Sequence, residues 1–141
     1  MQLIKRMDDI FCDANLPIRL KTYEIVITSS SSGIVEFLPN TVSIDGLKKL
    51  LPQDWSLNKF YQNYFKEGYE NARMKFVESL AGYCLVTYIL QIKDRHNGNI
   101  LIQNDGQIIH IDYGFILGTS PGNMNFENAP FKFTQVRLII Q

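Results

Sequence analysis

Three polar side chains in the second half of the chain could bind a hard cation and orient a reacting group. They are Asp94, Asn99 and Asp112. Mg²⁺ prefers oxygen ligands, and it commonly takes one or two carboxylates together with substrate phosphates and water. Phosphoryl transfer needs such a metal to neutralise phosphate oxygens, and it needs a further group that orients the nucleophile. The residue types therefore indicate phosphoryl-transfer chemistry, provided that the fold brings them together.

A predicted β-hairpin would bring two of these side chains together. Residues 100–103 and 107–111 are short apolar runs, and the NDG sequence at 104–106 is a strong turn signal. Asn99 immediately precedes the first strand, and Asp112 immediately follows the second. The corresponding ends of an antiparallel pair lie side by side, with opposed Cα atoms about 4.5–5.5 Å apart. We expect Asn99 and Asp112 to converge on one cation.

The spacing also matches the catalytic loop of protein kinases, H-R-D-x-x-x-x-N, in which the Asp meets the attacking hydroxyl and the Asn binds metal. Asp94 lies five positions before Asn99, and the DYG sequence at 112–114 stands in the place of D-F-G. Taken alone, DYG is more often an ordinary turn, and His110 between two isoleucines more often has a structural role. The joint order of long apolar helix, polar loop, hairpin and DYG favours a site.

The remaining pattern predicts an α+β chain. We expect a helix over 2–13, strands over 23–28 and 34–38, a short helix capped by Ser43, and a helical region over 57–92 that breaks near Gly68. The last region is expected to bury a wide apolar face. That face would comprise Phe76, Val77, Leu80, Ala81, Cys84, Leu85 and Ile89.

Composition excludes several classes of protein. The chain has 141 residues, of which 45% are hydrophobic, so it can form a packed core. Lys and Arg together number 14, as do Asp and Glu, which argues against nucleic-acid binding and against membrane attachment by bulk positive charge. No signal-peptide pattern is present, and Cys12 and Cys84 are expected to be buried free thiols. We expect a cytoplasmic protein that can lie peripherally on a membrane.

Residues 91–114, QIKDRHNGNILIQNDGQIIHIDYG, closely resemble the catalytic segment of the phosphatidylinositol 3-/4-kinases. The order D-R-H, in place of H-R-D, separates that family from ordinary protein kinases. Residues 92–99 (IKDRHNGN) resemble the 4-kinases, and residues 76–84 (FVESLAGYC) and 125–134 (NFENAPFKFT) are similar to their type III beta subgroup. Residues 17–44 resemble the central strands and hinge of that subgroup.

The resemblance covers nearly the whole chain, all but residues 136–141, and it implies a partial protein-kinase-like fold. Residues 1–38 would be the end of the N-lobe, residues 39–41 the exit from the hinge, and residues 42–141 part of a helical C-lobe. The C-lobe part would carry the catalytic hairpin and the activation loop.

The resemblance also implies roles for the polar loop and hairpin. Asp94 and His96 would serve the inositol hydroxyl, with His96 preferred as general base because imidazole accepts a proton near neutral pH. Arg95 would brace the loop. Asn99 and Asp112 would bind Mg²⁺ or Mn²⁺.

ATP would be held by the hinge. Glu36 and Leu38 would meet adenine through backbone groups, and Tyr23 and Ile111 would line the nucleotide pocket. Lys132 is the one basic residue between positions 115 and 134. A single cation there suits an inositol lipid that carries no further phosphate, and the alternative is that Lys132 is an ordinary solvated residue.

The expected reaction is transfer of the γ-phosphate of ATP to the 4-hydroxyl of phosphatidylinositol, on an internal membrane such as the Golgi and with membrane-recruiting adaptor proteins as partners. The alternative is a truncated, inactive nucleotide-binding or interaction fragment, because no phosphate-covering loop or strand lysine precedes Met1. A protein kinase of the related large-kinase group is a third hypothesis, which the activation loop disfavours.

Overall fold

A computed structural model describes residues 1–119 of the chain, and it has the predicted α+β character. Helices and short antiparallel strands are mixed along the sequence. In chain order the elements are α1 (Gln2–Asp13), β1 (Ile25–Ile27), β2 (Gly33–Val35), β3 (Thr41–Ser43), α2 (Ile44–Leu50), α3 (Leu57–Phe65), a 3₁₀ turn (Lys66–Gly68), α4 (Tyr69–Ile89), a second 3₁₀ turn (Asn97–Asn99), β4 (Ile100–Gln103) and β5 (Ile108–His110).

The strands form two antiparallel sheets within the described residues. The first pairs β1 with β2, with Ile25 opposite Val35. The second has the order β3-β4-β5, so the predicted β4–β5 hairpin is confirmed, and it gains a third strand that the sequence did not predict. The third strand was missed because β3 has three residues, too few to show an alternating pattern.

Local signals in the sequence account for the start of α2 and for the break between α3 and α4. The hydroxyl of Ser43 accepts a hydrogen bond from the backbone N–H of Gly46 at 3.0 Å, which confirms the predicted cap. Helix α3 ends at Phe65, and Lys66, the first residue of the 3₁₀ turn that ends at Gly68, adopts a positive φ of 47°. The predicted break near Gly68 is therefore confirmed.

The buried face of α4 differs from the predicted one. Its buried residues are Ala72, Phe76, Ser79, Gly82, Tyr83, Val86 and Thr87, whereas Val77, Leu85 and Ile89 are 45%, 43% and 54% exposed. Apolar residues surround the whole helix, so their spacing does not select a face. Small side chains select it instead, since a Cβ at Gly82 would lie only 2.5 Å from a methyl group of Ile18.

Helices α3 and α4 hold the turn of the β4–β5 hairpin. The hydroxyl of Tyr61 donates to the carbonyl of Gly106 at 2.8 Å, and the backbone N–H of Ile108 donates to the hydroxyl of Ser79 at 3.1 Å. Lys75 and Asp105 form an ion pair at 3.0 Å. These contacts fix the hairpin against the helical layer at the end opposite to Asn99 and Asp112.

The other end of β5 is held by aromatic stacking. The rings of Tyr83 and His110 stack with a centroid distance of 4.3 Å and an angle of 10° between planes. His110 is completely buried, which fits a structural role. The hydroxyl of Tyr83 also bonds both backbone groups of Lys21, as donor to its carbonyl and as acceptor from its N–H, and so connects α4 to the segment that precedes β1.

Two expectations about the chain surface have different outcomes. Cys12 and Cys84 are free thiols as expected, but Cys12 is exposed and Cys84 is only partly buried. The expectation that both are buried is wrong, because Cys12 lies on the outer face of α1 while Ile4 and Phe11 form its inner face.

Among residues 1–119, no helix is both long enough and apolar enough to cross a membrane.

The turn of the hairpin gives a test of the fold. Gly106 has a φ of +93°, and a Cβ there would lie 2.7 Å from both the Cβ and the carbonyl oxygen of Ala72. Gly106→Ala should lower the free energy of unfolding by about 2–5 kcal/mol, because backbone strain and overpacking add. Chemical denaturation measures this change.

Two other glycines separate these causes. Gly118 has a φ of +84° and open space around it, so Gly118→Ala should cost only about 1–2 kcal/mol from backbone strain. Gly68 has open space and no positive φ, so Gly68→Ala should stay within about 1 kcal/mol of the parent. Equal losses at all three positions would contradict the described turn.

Candidate active site

The β4–β5 register places Asn99 opposite Ile111, the residue that precedes Asp112. Ile100 lies opposite His110, and the next backbone bond runs from the N–H of Ile111 to the carbonyl of Asn99 at 3.0 Å. Asn99 is buried, and its amide nitrogen donates to the carbonyl of Asp94 at 3.0 Å. Because that nitrogen is engaged, the amide oxygen is the atom that could serve a metal.

Asp94 and His96 lie together on the loop before β4. Nε2 of His96 is 3.8 Å from Oδ2 of Asp94, and Nδ1 accepts a hydrogen bond from the backbone N–H of Gly98 at 3.0 Å. A neutral imidazole has one donor nitrogen and one acceptor nitrogen. Since Nδ1 is the acceptor, the proton belongs on Nε2, where it faces the carboxylate of Asp94.

Both aspartates of the site have left-handed backbone conformations, with φ of 59° at Asp94 and 57° at Asp112. This conformation is unfavourable for residues other than glycine, and such residues concentrate at functional sites. Oδ1 of Asp112 accepts a hydrogen bond from the N–H of Gly114 at 3.2 Å, which fixes the side chain in a local turn. The second oxygen, Oδ2, could then serve a metal together with Asn99.

Arg95 is buried beneath these residues. Its guanidinium donates to the backbone carbonyls of Lys93, Ile111 and Asp112. Burial lowers the pKa of Arg95, while the nearby Tyr113, Asp112 and Asp94 act in the opposite direction. Arg95 therefore contacts both the residue before Asp94 and the segment that follows β5.

A cavity of about 830 Å³ adjoins Asp112. Its walls include all four residues predicted to line a nucleotide pocket: Tyr23, Glu36, Leu38 and Ile111. Burial raises the pKa of Tyr23, although the backbone of Asp112 and the charge of Arg95 lower it. The structure therefore brings these four residues together with a predicted metal ligand.

Further residues of this cavity were not found from the sequence. They include Thr41 on β3 and Leu101 on β4. Leu101 could have been found from alternation, because successive side chains of a strand face opposite sides. Thr41 carried no signal, since β3 itself was not predicted.

The predicted substrate loop falls outside the part of the chain that the structure describes, whereas the predicted metal ligands fall within it. Lys132 and the segment 125–134 lie outside the described residues. Among residues 1–119, no cluster of three or more His, Cys, Asp and Glu side chains is arranged to hold a metal ion. Asn99 and Asp112 thus form a two-residue candidate metal site.

Comparison with known proteins now identifies the family. Residues 47–138 match the family described as phosphatidylinositol 3- and 4-kinase. The chain belongs to this family. A phosphatidylinositol 4-kinase of Dictyostelium discoideum is 51% identical over 143 aligned residues, and phosphatidylinositol 4-kinase beta 2 of Arabidopsis thaliana is 51% identical over 138. Phosphatidylinositol 4-kinase beta of Sorex araneus is 46% identical over 136 residues.

These alignments cover most of this chain and a small part of each relative. The Dictyostelium and Arabidopsis alignments cover 96% of the chain and 12% of the relative. The Sorex alignment covers 94% of the chain and 17% of the relative. The chain therefore spans 12% to 17% of the length of these relatives, and its α+β structure is that of a partial kinase-like domain.

The left-handed backbone at Asp112 gives a prediction about stability that does not depend on activity. Asp112→Ala and Asp112→Gly both remove the carboxylate, but only glycine relieves the strain. The glycine variant should be more stable than the alanine variant by about 1 kcal/mol in denaturant unfolding.

Asp9 is a matched control because it lies exposed in the middle of α1. At that position alanine should be more stable than glycine by about 0.8–1 kcal/mol, because glycine disfavours helix. The same order of stability at both positions would contradict the described conformation of Asp112.

Proposed function

We propose that this chain is the catalytic segment of an enzyme that transfers the γ-phosphate of ATP to the 4-hydroxyl of phosphatidylinositol, giving phosphatidylinositol 4-phosphate. The observation that carries the proposal is the backbone bond that pairs Asn99 with Ile111, the residue before Asp112, next to a cavity that Ile111 and Asp112 line and that is large enough for a nucleotide. The names of the relatives, phosphatidylinositol 4-kinases, support the lipid substrate and the ring position.

The residues at the hairpin end fit Mg²⁺ or Mn²⁺. Asn99 and Asp112 would contribute one amide oxygen and one carboxylate, and Mg²⁺ sites of this kind are completed by substrate phosphates and water. When bound, the metal would neutralise negative charge on the transferring phosphoryl group. The hydrogen bond from the N–H of Gly114 to Oδ1 would orient the carboxylate of Asp112 for metal binding.

The hinge offers two backbone groups to adenine. The N–H of Glu36 already donates to the carbonyl of Glu24 at 2.9 Å, and the carbonyl of Leu38 accepts from the hydroxyl of Thr41 at 2.9 Å. The carbonyl of Glu36 and the N–H of Leu38 would therefore meet the polar edge of adenine. Tyr23 and Ile111 would pack against its faces.

Asp94 is the better placed of the two candidate bases. Because Nδ1 of His96 accepts a hydrogen bond from Gly98, the neutral imidazole carries its proton on Nε2 and has no nitrogen left to accept another one. Asp94 would then accept the hydrogen bond of the inositol hydroxyl, with Nε2 of His96 as a neighbour 3.8 Å from its Oδ2. This proposal differs from the sequence-based preference for His96 as the base.

The lipid substrate implies further proposals about location and partners. Phosphatidylinositol resides in membranes, so we propose that the protein works in the cytoplasm at the surface of an internal membrane, as expected for Golgi-like membranes, with recruiting adaptor proteins. Lys132 would approach the headgroup. One cation suits an inositol ring without additional phosphates.

A substrate panel tests the reaction. The protein expressed from its complete coding sequence should phosphorylate phosphatidylinositol with ATP and Mg²⁺, and should not phosphorylate more highly phosphorylated inositides or a peptide. Asp112→Ala should lower product formation at least 100-fold, because a metal ligand is lost.

Asp54→Ala is the control, since the side chain of Asp54 is 76% exposed and pairs with Lys59 on the surface at 3.5 Å. It should retain the parent rate. Preferential phosphorylation of a peptide would overturn the lipid assignment, and no turnover by the complete protein would favour the inactive-fragment alternative.

The nucleotide cavity can be tested separately. Ile111→Ala should raise the KM for ATP roughly 10-fold, because apolar contact with adenine is lost. Ile102 is a buried residue of β4 and is not among the residues that line the cavity. Ile102→Ala should cost about 2–5 kcal/mol of folding stability and leave the KM unchanged. A rise in KM for both variants would argue against this cavity as the nucleotide site.

A further inference from the structure

Arg95 has an unusual environment for a cation. Only 3% of its surface is exposed, and its three guanidinium nitrogens all donate to backbone carbonyls. Nε donates to Lys93 at 2.9 Å, Nη1 donates to Ile111 at 2.8 Å, and Nη2 donates to Asp112. A buried charge is costly unless its hydrogen bonds are satisfied, and here the protein backbone satisfies them.

The three carbonyls belong to two separate parts of the site. Lys93 precedes the loop that carries Asp94, whereas Ile111 and Asp112 follow β5. The guanidinium therefore joins the loop to the segment after the hairpin. Because a guanidinium is planar and rigid, its bonds fix the directions of these peptide groups as well as their distances.

Tyr113 completes this arrangement. Its ring lies 5.6 Å from the guanidinium carbon of Arg95, within the range of a cation–π interaction. Its hydroxyl donates to the carbonyl of His110 at 2.9 Å. The ring is thus held to β5 by its own hydrogen bond, and it supports one face of the guanidinium.

The peptide groups held by Arg95 flank the left-handed residue Asp112, whose φ is 57°. This conformation costs about 1–2 kcal/mol relative to the right-handed one, so it must be maintained by contacts. Arg95 supplies such contacts at the carbonyls of the two peptide groups on either side of the Cα of Asp112. A relaxed φ would change the direction of the Asp112 side chain.

We propose that Arg95 is a positioning residue that holds Asp112 in the conformation required for metal binding, and that it does not contact the transferred phosphoryl group. The part concerning metal rests on the proposed function, whereas the part concerning conformation does not. Lysine cannot replace Arg95, because one ammonium group cannot reach carbonyls in three fixed directions.

The conformational part is tested without metal or nucleotide. Arg95→Lys keeps the positive charge but loses the planar guanidinium with its three donor nitrogens. It should increase hydrogen–deuterium exchange of the backbone amides at 111–114 at least 10-fold. Arg19→Lys is the matched control, because Arg19 also donates to backbone carbonyls, those of Leu16 and Ile18, on an exposed segment. It should leave exchange at 111–114 unchanged. Unchanged exchange in Arg95→Lys would overturn the proposal.

The metal part is tested by activity as a function of Mg²⁺ concentration in the complete protein. Arg95→Lys should raise the Mg²⁺ concentration for half-maximal turnover about 10-fold and recover much of its rate at saturating Mg²⁺. If Arg95 instead contacted the phosphoryl group, turnover would fall 100-fold or more at every Mg²⁺ concentration with an unchanged half-maximal point. That result would overturn the positioning role.

A second variant distinguishes a loss of positioning from a general loss of folding. Tyr113→Leu removes the ring beneath the guanidinium but none of its three donors, so it should shift exchange and Mg²⁺ dependence in the same direction by a smaller factor, about 2–3-fold. No shift in either measurement would count against the proposal. If the unmodified protein shows no lipid phosphorylation, the proposed function fails, while the exchange experiment still decides the role of Arg95.

Discussion

The site depends on the register of one antiparallel pair of strands. Ile100 lies opposite His110, and the next backbone bond pairs Asn99 with Ile111, so Asp112 follows directly after the partner of Asn99 although the two are thirteen positions apart in the sequence. A slip by one residue would turn every side chain of the strand to the other face of the sheet. The register is therefore a constraint on chemistry as well as on packing.

The helical layer maintains this register against the strain at the site. Tyr61 and Ser79 bond the turn end of the hairpin, while Tyr83 stacks on His110 near the other end. Two non-glycine residues, Asp94 and Asp112, have left-handed conformations. Such conformations persist only when the surroundings determine them, and the rigid hairpin and the buried Arg95 supply those surroundings.

Strong local signals made part of the fold and site predictable. The NDG turn gave the hairpin, Ser43 gave the start of α2, and the offset between Asp94 and Asn99 indicated the loop. The short strand β3 was not predictable, because its pairing with β4 is a long-range interaction. The buried face of α4 was not predictable either, since contact with β5 selects Ser79 and contact with the segment before β1 selects Gly82.

The protonated nitrogen of the His96 imidazole could not be predicted from the sequence either. The sequence favoured His96 as a base from its residue type, but the N–H of Gly98 determines which nitrogen bears the proton. A contact between neighbouring residues can be specific without leaving a pattern in composition or spacing. Spacing thus indicated the candidate site residues, while the hydrogen bonds that distinguish their proposed roles are seen only in the structure.

The most direct test of the central claim is paramagnetic broadening by Mn²⁺ in the presence of a nucleotide, measured by NMR. Mn²⁺ replaces Mg²⁺ at oxygen ligands and broadens the signals of nearby nuclei. If Asn99 and Asp112 hold one metal, the side-chain amide of Asn99 and the backbone amide of Asp112 should broaden first, and the amide of Asp105 at the far end of the hairpin should remain sharp. Broadening that begins at Asp105 and spares Asn99 would contradict the account.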